Sequence, residues 1–520
     1  MKKNIKSYIL GGVFVLSALG MTSCEDDFLE KDKLGEETSG TYFVNQKKAL
    51  ASLTAAHTDM KDHRFGWFLW AFGETLSDNA IYGGSDGDNA GFEPLKTFSG
   101  TPDMFQVRYK WQIPYRGINK ASQTIAGVEK MEDALFDSPE LKKRIIAEAR
   151  FLRAFYHFEL VKAFGSMPII DHLITDPDDR IGMSEPEAVL KFIVTELELA
   201  EPHLPLKEDY DSKDLGRVTK GAARAYLAKA NLYLKNWQSA YDWGKKMVDD
   251  GQYQLEADYA KMFTLAGEHG AESIFELSFH DSPTESSAYR NNGNFQTLFQ
   301  LPRNITYGYG INLPTQDLAD AFDAEGDVIR KDATLLTTDE VYEFELADLY
   351  NDLEEAIESG DAEAIKEANA ALDKGKAKLT FNRTGFYNQK MYLKPEERSA
   401  NLRNNPNNIR LMRYAEVYLI MAEAAYHIPN EGEARNLMNE LREIRGLARK
   451  ETVSGSDLLD AIYTERRLEL AMENNRYHDL VRTNRASILP GWTEAKKYWP
   501  VPQAEIDNSL GEIVQNPGYN

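Results

Sequence analysis

The stretch Leu141–Val161, LKKRIIAEARFLRAFYHFELV, carries the strongest folding signal in the chain. Its apolar side chains return at steps of three and four residues, at Ile145, Ala149, Leu152, Tyr156 and Leu160. This spacing places them on one face of an α-helix. Gly165 and Pro168 follow and predict where the helix ends.

Similar helical patterns follow this stretch. Helices are predicted over Pro186–Ala200, Lys220–Leu234 and Trp237–Gly251, and proline suits the first turn of the first of them. The same texture returns in the second half of the chain, over Arg413–Ala425, Glu431–Arg445 and Leu458–Met472. Ala-rich helices separated by short breaks are typical of tetratricopeptide-like pairs, because small side chains let two helices approach closely. The sequence therefore predicts an all-α scaffold of degenerate helix pairs.

Three segments depart from this pattern. Residues 73–100 are rich in Gly, Asp and Asn, and residues 280–314 are rich in Asn, Gly and Tyr. Both are predicted to be long irregular loops, and loops of that length tend to carry function. Residues 339–378 are strongly acidic and rich in Ala, Glu and Leu, which predicts an inserted, solvated helical hairpin without a ligand role.

The N-terminus has the features of an export signal. Basic residues precede an apolar run, Tyr8–Leu19, that is too short to span a bilayer. The following GMTSC, ending at Cys24, resembles the lipobox cleaved by bacterial lipoprotein signal peptidase. Cys24 is the single cysteine of the chain, so it has no disulfide partner within it. We expect residues 1–23 to be a lipoprotein signal peptide and Cys24 to be acylated; the alternative is a plain secretory signal with an incidental cysteine.

The charge of the chain limits its partners. Glu25–Asp27 follows the cysteine and is similar to the surface-export signal of some Gram-negative bacteria; the alternative is a solvated tether, and we place the tether at residues 24–40. The formal net charge is −23, and removal of the three lysines of the signal peptide takes it to −26. Such a charge argues against binding nucleic acid or an anionic bilayer through a basic face.

Motifs for catalysis, cofactors and metals are missing or incomplete. There is no His-Glu-x-x-His and no second cysteine for a zinc site. Asp86–Gly91 resembles the start of an EF-hand loop, but Ala90 occupies a ligand position and no Glu follows at the required spacing. No cofactor is predicted. Glycoside hydrolysis needs only two carboxylates, so 83 acidic residues leave a glycosidase open.

The aromatic residues in and beside the polar loops are the better candidates for a site. Sugar rings stack on aromatic side chains while their hydroxyls bond to neighbouring polar groups. The predicted stacking residues are Trp67, Tyr82, Phe92, Trp111, Tyr289, Tyr307 and Tyr309. Trp70 lies in a more apolar run and is expected in the core, and for Trp111 a core position and a ligand contact are both open. Tyr82, Tyr307 and Tyr309 lie among Gly and Asn and are expected to be less buried.

Several ordered motifs distributed along the chain resemble one family. They are EARFLRA (148–154), FGSMP (164–168), GRVTKGAARA (216–225), RYAEVYLIMAEAA (413–425), YTERRLELAME (463–473), RYHDLVR (476–482), YWPVP (498–502) and QNPGY (515–519). Together with the lipobox they closely resemble the SusD/RagB outer-membrane nutrient-binding lipoproteins. Physically the motifs are predicted to be structural, because Glu465, Arg466, Glu469 and Arg482 would form ion pairs that hold a closing segment on the scaffold.

The resemblance implies a helical lipoprotein in the outer membrane, facing the cell exterior. Such a protein caps a SusC-like, TonB-dependent transporter and binds glycans or other nutrients for import without catalysis. The SusD-like part would comprise residues 41–265 and residues 266–520, with the acidic insert in the second part. No ligand residue is implied, so the aromatic set rests on the residues alone. A surface glycosidase and a transporter lid with little glycan affinity remain the alternatives.

Overall fold

Leu141–Val161 lies inside one 26-residue helix, Pro139–Phe164, in the computed structural model of the chain. The hydroxyl of Ser138 begins the helix by accepting a hydrogen bond from the backbone N–H of Leu141 at 3.1 Å. Gly165 ends it with a φ of +67°, which glycine adopts at low cost. The helix predicted from the sequence is confirmed.

The structure describes residues 42–176, 178–281, 292–379 and 382–519, with Asn89 and Ala90 described by their backbone alone. The predicted signal peptide, Cys24, the tether and Tyr289 lie outside these ranges. Within them, no helix is both long and apolar enough to cross a membrane.

Helices dominate the described residues. The helices of the first half are α1 (Gln46–Thr58), α2 (His63–Gly73), α3 (Asp86–Ala90), α4 (Glu93–Lys96), α5 (Phe105–Glu129), α6 (Pro139–Phe164), α7 (Pro186–Ala200), α8 (Lys220–Tyr233) and α9 (Trp237–Asp249). The helices of the second half are α10 (Gln296–Gln300), α11 (Gln316–Glu325), α12 (Val328–Thr334), α13 (Thr338–Glu345), α14 (Ala347–Ser359), α15 (Ala362–Lys376), α16 (Tyr414–His427), α17 (Glu431–Ile444), α18 (Gly455–Glu469), α19 (Arg476–Arg482) and α20 (Gln503–Asn508).

The helices pack as pairs, and the contact of α9 with α16 is among those that join the two halves of the chain. α5 packs on α6, α6 on α7, α8 on α9 and α16 on α17, while α9 also packs on α16. Small residues permit this last contact, since a side chain at Gly244 of α9 would begin 2.5 Å from Met421 of α16. Ala228, Ala240 and Ala424 fill the core between the three helices. The predicted all-α scaffold of Ala-rich pairs is confirmed, and Asn45–Asn520 forms one compact unit.

Short antiparallel strands join distant segments of the chain. The strands are β1 (Ala80–Gly83), β2 (Met167–Pro168), β3 (Met183–Ser184), β4 (Ser273–Leu277), β5 (Ile311–Pro314), β6 (Leu335–Thr337), β7 (Phe386–Asn388) and β8 (Ile409–Arg413). They pair as β1 with β5, β2 with β3, β4 with β8 and β6 with β7. The pairing of Ile81 with Leu313 fastens residues 73–100 to residues 280–314. The prediction of two wholly irregular loops was wrong here, because non-local pairing supplies hydrogen bonds that no local pattern reveals.

The acidic segment 339–378 is more regular than the predicted hairpin. It contains three helices, of which α14 and α15 pack against each other across a turn at Gly360. Gly360 has a φ of +70°, a left-handed conformation that suits a helix end. Ala356 and Leu372 are among its few buried side chains, so most of the hairpin faces solvent.

A buried ionic cluster centred on Glu469 joins four elements. Glu469 is fully buried at the end of α18 and accepts hydrogen bonds from Arg330, Arg413 and Arg445, each at 3.0 Å. Glu465, one turn earlier, accepts from Arg330 at 2.6 Å. Arg330 lies in α12, Arg413 in β8 and Arg445 directly after α17. The attraction of the three guanidinium groups outweighs the effect of burial and holds the pKa of Glu469 well below its usual range.

A second buried cluster holds α19 against the scaffold. Arg466 donates to Glu416 at 2.6 Å and to Asp479 at 2.8 Å. Arg482 donates to Asp479 at 2.7 Å and to Glu423 at 2.6 Å and 2.8 Å. Asp479 therefore bridges two arginines. The ion pairs predicted for the family-like motifs are confirmed.

Replacing Glu469 with Gln should destabilise the protein strongly. The substitution keeps the shape but leaves three buried arginines with one compensating charge fewer, a change that typically costs about 3–5 kcal/mol. We expect that loss in the free energy of unfolding measured by urea denaturation. Glu443→Gln, at a half-exposed ion pair with Arg449, is the control and should change it by less than about 1 kcal/mol. Equal effects of the two substitutions would show that the cluster contributes no special stability.

His157 in α6 is held as a neutral ring. Its Nδ1 donates to the carbonyl of Arg153 at 2.7 Å, and its Nε2 accepts from the backbone N–H of Ile170 at 3.2 Å. A second proton, on Nε2, would point at the N–H of Ile170 and break this hydrogen bond. Burial lowers the pKa of His157 to about 4.

This histidine should make the protein sensitive to acid. Because its folded pKa lies below the unfolded value, the unfolded chain binds the extra proton between about pH 6.5 and pH 4, and stability falls across that range by up to about 3 kcal/mol. His157→Gln should be less stable at pH 7 but lose less stability between pH 7 and pH 4.5, as measured by urea unfolding. His203→Gln, at an exposed site, should keep the wild-type dependence. An unchanged pH dependence in His157→Gln would contradict the assignment.

Candidate functional site

Four aromatic rings from three segments form a continuous row. Trp67 of α2 stacks on Phe299 of α10 at 5.5 Å between ring centroids, with 10° between their planes. Phe105, the first residue of α5, lies 5.7 Å from Trp67 on one side, and Tyr309 lies 5.4 Å from Phe299 on the other. We call Phe105, Trp67, Phe299 and Tyr309 the aromatic row. The β1–β5 pairing holds two of its segments together.

The aromatic row reaches solvent. The outer rings, Phe105 and Tyr309, are 39% and 37% exposed, and the two central rings are partly buried. Tyr307, in the same turn as Tyr309, is 89% exposed and has a φ of +70°. A non-glycine residue in that conformation costs free energy, so the surrounding turn must hold it. The ring of Tyr307 is therefore presented fully to solvent beside the row.

A second layer of aromatic residues lies beneath the row. Tyr82 stacks on Phe92 at 4.2 Å, and Phe92 lies 4.9 Å from Trp67. Both rings are buried, and burial raises the pKa of Tyr82 above its usual value. Trp70 is also buried, as expected, and its Nε1 donates to Gln296 at 2.9 Å. The expectation that Tyr82 is exposed was wrong, because Tyr82 lies in β1 and its ring packs against Phe92 and Trp70. Tyr82 and Phe92 support the row and offer no free face to a sugar.

Trp111 does not join this surface. It is 3% exposed in the interior of α5 and makes an edge contact with Phe164 at 5.0 Å. Its other ring neighbour is Tyr115. Its prediction as a stacking residue was wrong, because the helical face that carries Trp111 packs on α6. Tyr289 lies outside the described residues, so its role stays a prediction.

Sequence reasoning missed Phe105 and Phe299. Phe295 and Phe299 are four residues apart, and the structure places both on α10 or its boundary, with 4.6 Å between their rings. That spacing in a loop rich in Asn and Gly was the available signal for a short aromatic helix. Phe105 had no such signal, since it follows directly on a loop and begins a long helix.

A charged groove lies next to the row. Its volume is about 780 Å³, and its charged wall comprises Asp59, Lys61, Asp62, Arg64, Arg116 and Lys120. Asp62 accepts a bidentate pair from Arg64 at 2.9 Å and 2.7 Å, and Arg116 bridges Asp62 and Asp59. Burial would raise the pKa of Asp62, but the hydrogen bonds and charge of Arg64 outweigh it and lower the pKa. The groove thus presents fixed, ionised donors and acceptors.

A smaller cavity connects the groove with the row. It shares Lys61 and Asp62 with the charged groove and is also lined by His63 and Phe295. Burial lowers the pKa of His63, so its ring is neutral near pH 7. Phe295 in turn contacts Phe299 of the row. Polar and aromatic surfaces are therefore contiguous.

The incomplete EF-hand motif has another role. Asp86 and Asp88 begin α3, where Asp88 pairs with Arg303 and Asp86 with Arg383. Arg303 lies between Phe299 and Tyr309 of the row, so its ion pair ties α3 to that segment, and the second ion pair ties α3 to the segment before β7. Among the described residues, no group of three His, Cys, Asp or Glu side chains could hold a metal ion.

Two family models match most of the sequence. The model described as the SusD family matches residues 271–489, and the one described as starch-binding associating with outer membrane matches residues 27–234. The chain belongs to the SusD family. The SusD-like protein P2 of Formosa agariphila is 25% identical to it, across 97% of this chain and 99% of that protein. The resemblance seen in the sequence is confirmed.

Solved structures of SusD-like proteins share the fold. A laminarin-binding SusD-like protein has a TM-score of 0.74 and 26% identity, across 91% of this chain and 100% of that chain. Surface glycan-binding protein A from Bacteroides thetaiotaomicron, in complex with laminarihexaose, has a TM-score of 0.73 and 23% identity, with the same two shares. Both solved structures are named for binding, of laminarin in the first and of glycans in the second.

Proposed function

We propose that this SusD-family chain is a non-enzymatic lipoprotein of the cell surface that binds a glycan and delivers it to a SusC-like, TonB-dependent transporter. One observation carries the binding part: the exposed aromatic row lies beside a charged groove that is large enough for several sugar rings. Aromatic faces stack on the apolar faces of sugars, and charged side chains bond their hydroxyls.

The ligand class follows from the surface and from the relatives. In the groove, Arg64, Arg116 and Lys120 pair with Asp59 or Asp62. Most of its charge is therefore compensated, which favours a neutral ligand with many hydroxyls. Laminarin is the polysaccharide in the name of the 26% identical structure, and starch is in the description of one matching family model. Glucans are therefore the first ligands to test.

Binding fits the groove better than hydrolysis does. A glycosidase needs one carboxyl group with a raised pKa to protonate the leaving oxygen. In the groove, Arg64 and Arg116 keep Asp62 ionised, and Arg116 and Lys120 also hold Asp59. Asp62 is therefore equipped to accept hydrogen bonds and not to donate a proton.

The location and partner rest on the N-terminus and the family. Cys24 supplies the lipid anchor, and the matching family model is described as associating with the outer membrane. An acidic run directly after the anchor supports display on the cell exterior. A binding protein held there delivers its ligand only through an outer-membrane transporter, which is the role of a SusC-like partner.

Isothermal titration with laminarin and starch tests the binding site. Trp67→Ala and the double substitution Phe105→Ala/Tyr309→Ala should weaken binding at least about tenfold, or about 1.4 kcal/mol, because each removes stacking faces from the row. Tyr350→Ala, on α14 far along the chain from the row, is the matched control and should bind like wild type. Circular dichroism confirms that each variant is folded. Unchanged affinity in the row variants would place the site elsewhere, and failure of every glycan to bind would refute glycan binding.

The N-terminal proposal has its own test. Cys24→Ser should abolish acylation, so metabolic labelling with palmitate disappears and the chain leaves the membrane fraction. Replacing Glu25, Asp26 and Asp27 with Ala should keep the label but protect the chain from protease added to intact cells. Labelling of Cys24→Ser would contradict the anchor, and protection of the wild-type chain would place it on the periplasmic side.

A further inference from the structure

A second cavity lies among helices that the aromatic row and the charged groove do not use. Its volume is about 270 Å³, and its walls come from the ends of α6, α8 and α19, the beginning of α7 and the segment near Tyr498. It shares no lining residue with the groove. An apolar cavity of about 150 Å³ already accepts benzene, so this one holds a six-membered ring with a substituent.

The walls of the cavity are mostly apolar and aromatic. Val161, Leu190 and Val481 contribute aliphatic surface, and Tyr233 and Tyr498 contribute rings. Tyr498 packs tightly on the chain behind it, since a Cβ at Gly165 would begin 2.5 Å from its ring. The cavity therefore has a fixed aromatic wall suited to a flat or cyclic body.

Polar groups inside the cavity lack partners. His478 is only 5% exposed, yet its ring nitrogens have no hydrogen-bond partner among the described residues, and the same holds for the hydroxyls of Tyr233 and Tyr498. Burial, with the charges of Lys162 and Lys110, holds the pKa of His478 well below its usual range. The neutral ring thus offers one donor and one acceptor. These polar atoms line the open space of the cavity and can bond to water or to a ligand there.

Cationic side chains outnumber carboxylates in the cavity wall, which contains Lys162, Lys235, Arg482 and Lys497 but only Glu187 as an acidic residue. Lys162 pairs with Glu159 at 2.6 Å, and Arg482 is held by Glu423 and Asp479. Lys235, by contrast, has no acidic partner within the ranges that the structure describes. It follows α8 with a φ of +58°, a conformation that disfavours lysine relative to glycine. Lys235 is exposed, so its ammonium group is solvated and can meet a ligand at the open side of the cavity.

We infer that this cavity binds a small carboxylate carried on a six-membered ring. The ring fills the space between Tyr233 and Tyr498, the carboxylate neutralises Lys235, and His478 bonds a polar substituent. Among the lining cations, Lys235 has no ion pair within the described residues, so it is the one left to pair with a carboxylate. A sugar acid and an aromatic acid share this chemistry, and they are the two sources to distinguish.

Titration of the purified full chain with glucuronate and with benzoate tests the inference. We expect at least one acid to bind with a Kd of about 1 mM or tighter, and its neutral analogue, glucose or benzyl alcohol, to bind at least about tenfold more weakly. Preference for glucuronate identifies a sugar acid, and preference for benzoate an aromatic acid. Absence of binding by both acids, as for a cavity that holds only water, would overturn the inference.

Two substitutions locate the binding. Lys235→Gln should weaken the acid at least about tenfold, whereas Lys213→Gln, at an exposed lysine away from the cavity, should not. Leu190→Phe should fill the cavity and abolish acid binding while the thermal midpoint and the affinity for glucan stay at wild-type values. Acid binding that survives in both Lys235→Gln and Leu190→Phe would overturn the inference, even if the acids bind the wild-type chain.

Discussion

The rest of the structure depends on the buried charge of Glu469. Burying a carboxylate costs several kcal/mol unless opposite charges and hydrogen bonds compensate it. Arg330, Arg413 and Arg445 do so, and each comes from a different element. The cluster is satisfied only when α12, β8, α17 and α18 are all in place. The cluster therefore fixes the positions of these four elements relative to one another. It also fixes the point from which the segment after α18 continues.

The segment after α18 also holds α2, the helix that carries Trp67 of the candidate site. Glu74, fully buried at the end of α2, accepts hydrogen bonds from the backbone N–H groups of Met472 and Asn474 at 3.0 Å and 2.9 Å. A side chain at Gly73 would collide with the carbonyl of Asn474. α2 is thus fixed at its C-terminal end to the segment beside the ionic cluster, and α2 carries Trp67. The exposed rings lie on loops and short helices, but their support is rigid.

The site could be predicted from the sequence only in part. Aromatic residues within polar loops pointed to Trp67, Tyr307 and Tyr309, and these do lie on or beside the exposed surface. The same reasoning failed for Tyr82 and Trp111, because composition near a residue does not reveal what will cover it. Tyr82 lies in a strand whose partner strand is more than 200 residues away, as the register of Ala80 with Pro314 shows. Pairing between strands so far apart in the sequence cannot be predicted from the residues around either strand.

The sequence by itself determined the helices, their Ala-rich packing, the family and the expected lipid anchor. Periodicity, capping residues and ordered motifs depend on residues that are close together in the sequence, so they can be recognised from the sequence alone. Only the tertiary structure decided which rings stack, which aspartates pair with arginines, and which cavities remain between helices. Phe105 and Phe299 meet Trp67 through contacts between segments distant along the chain. Those contacts depend on packing and charge compensation across the whole fold, so no local sequence pattern predicts them.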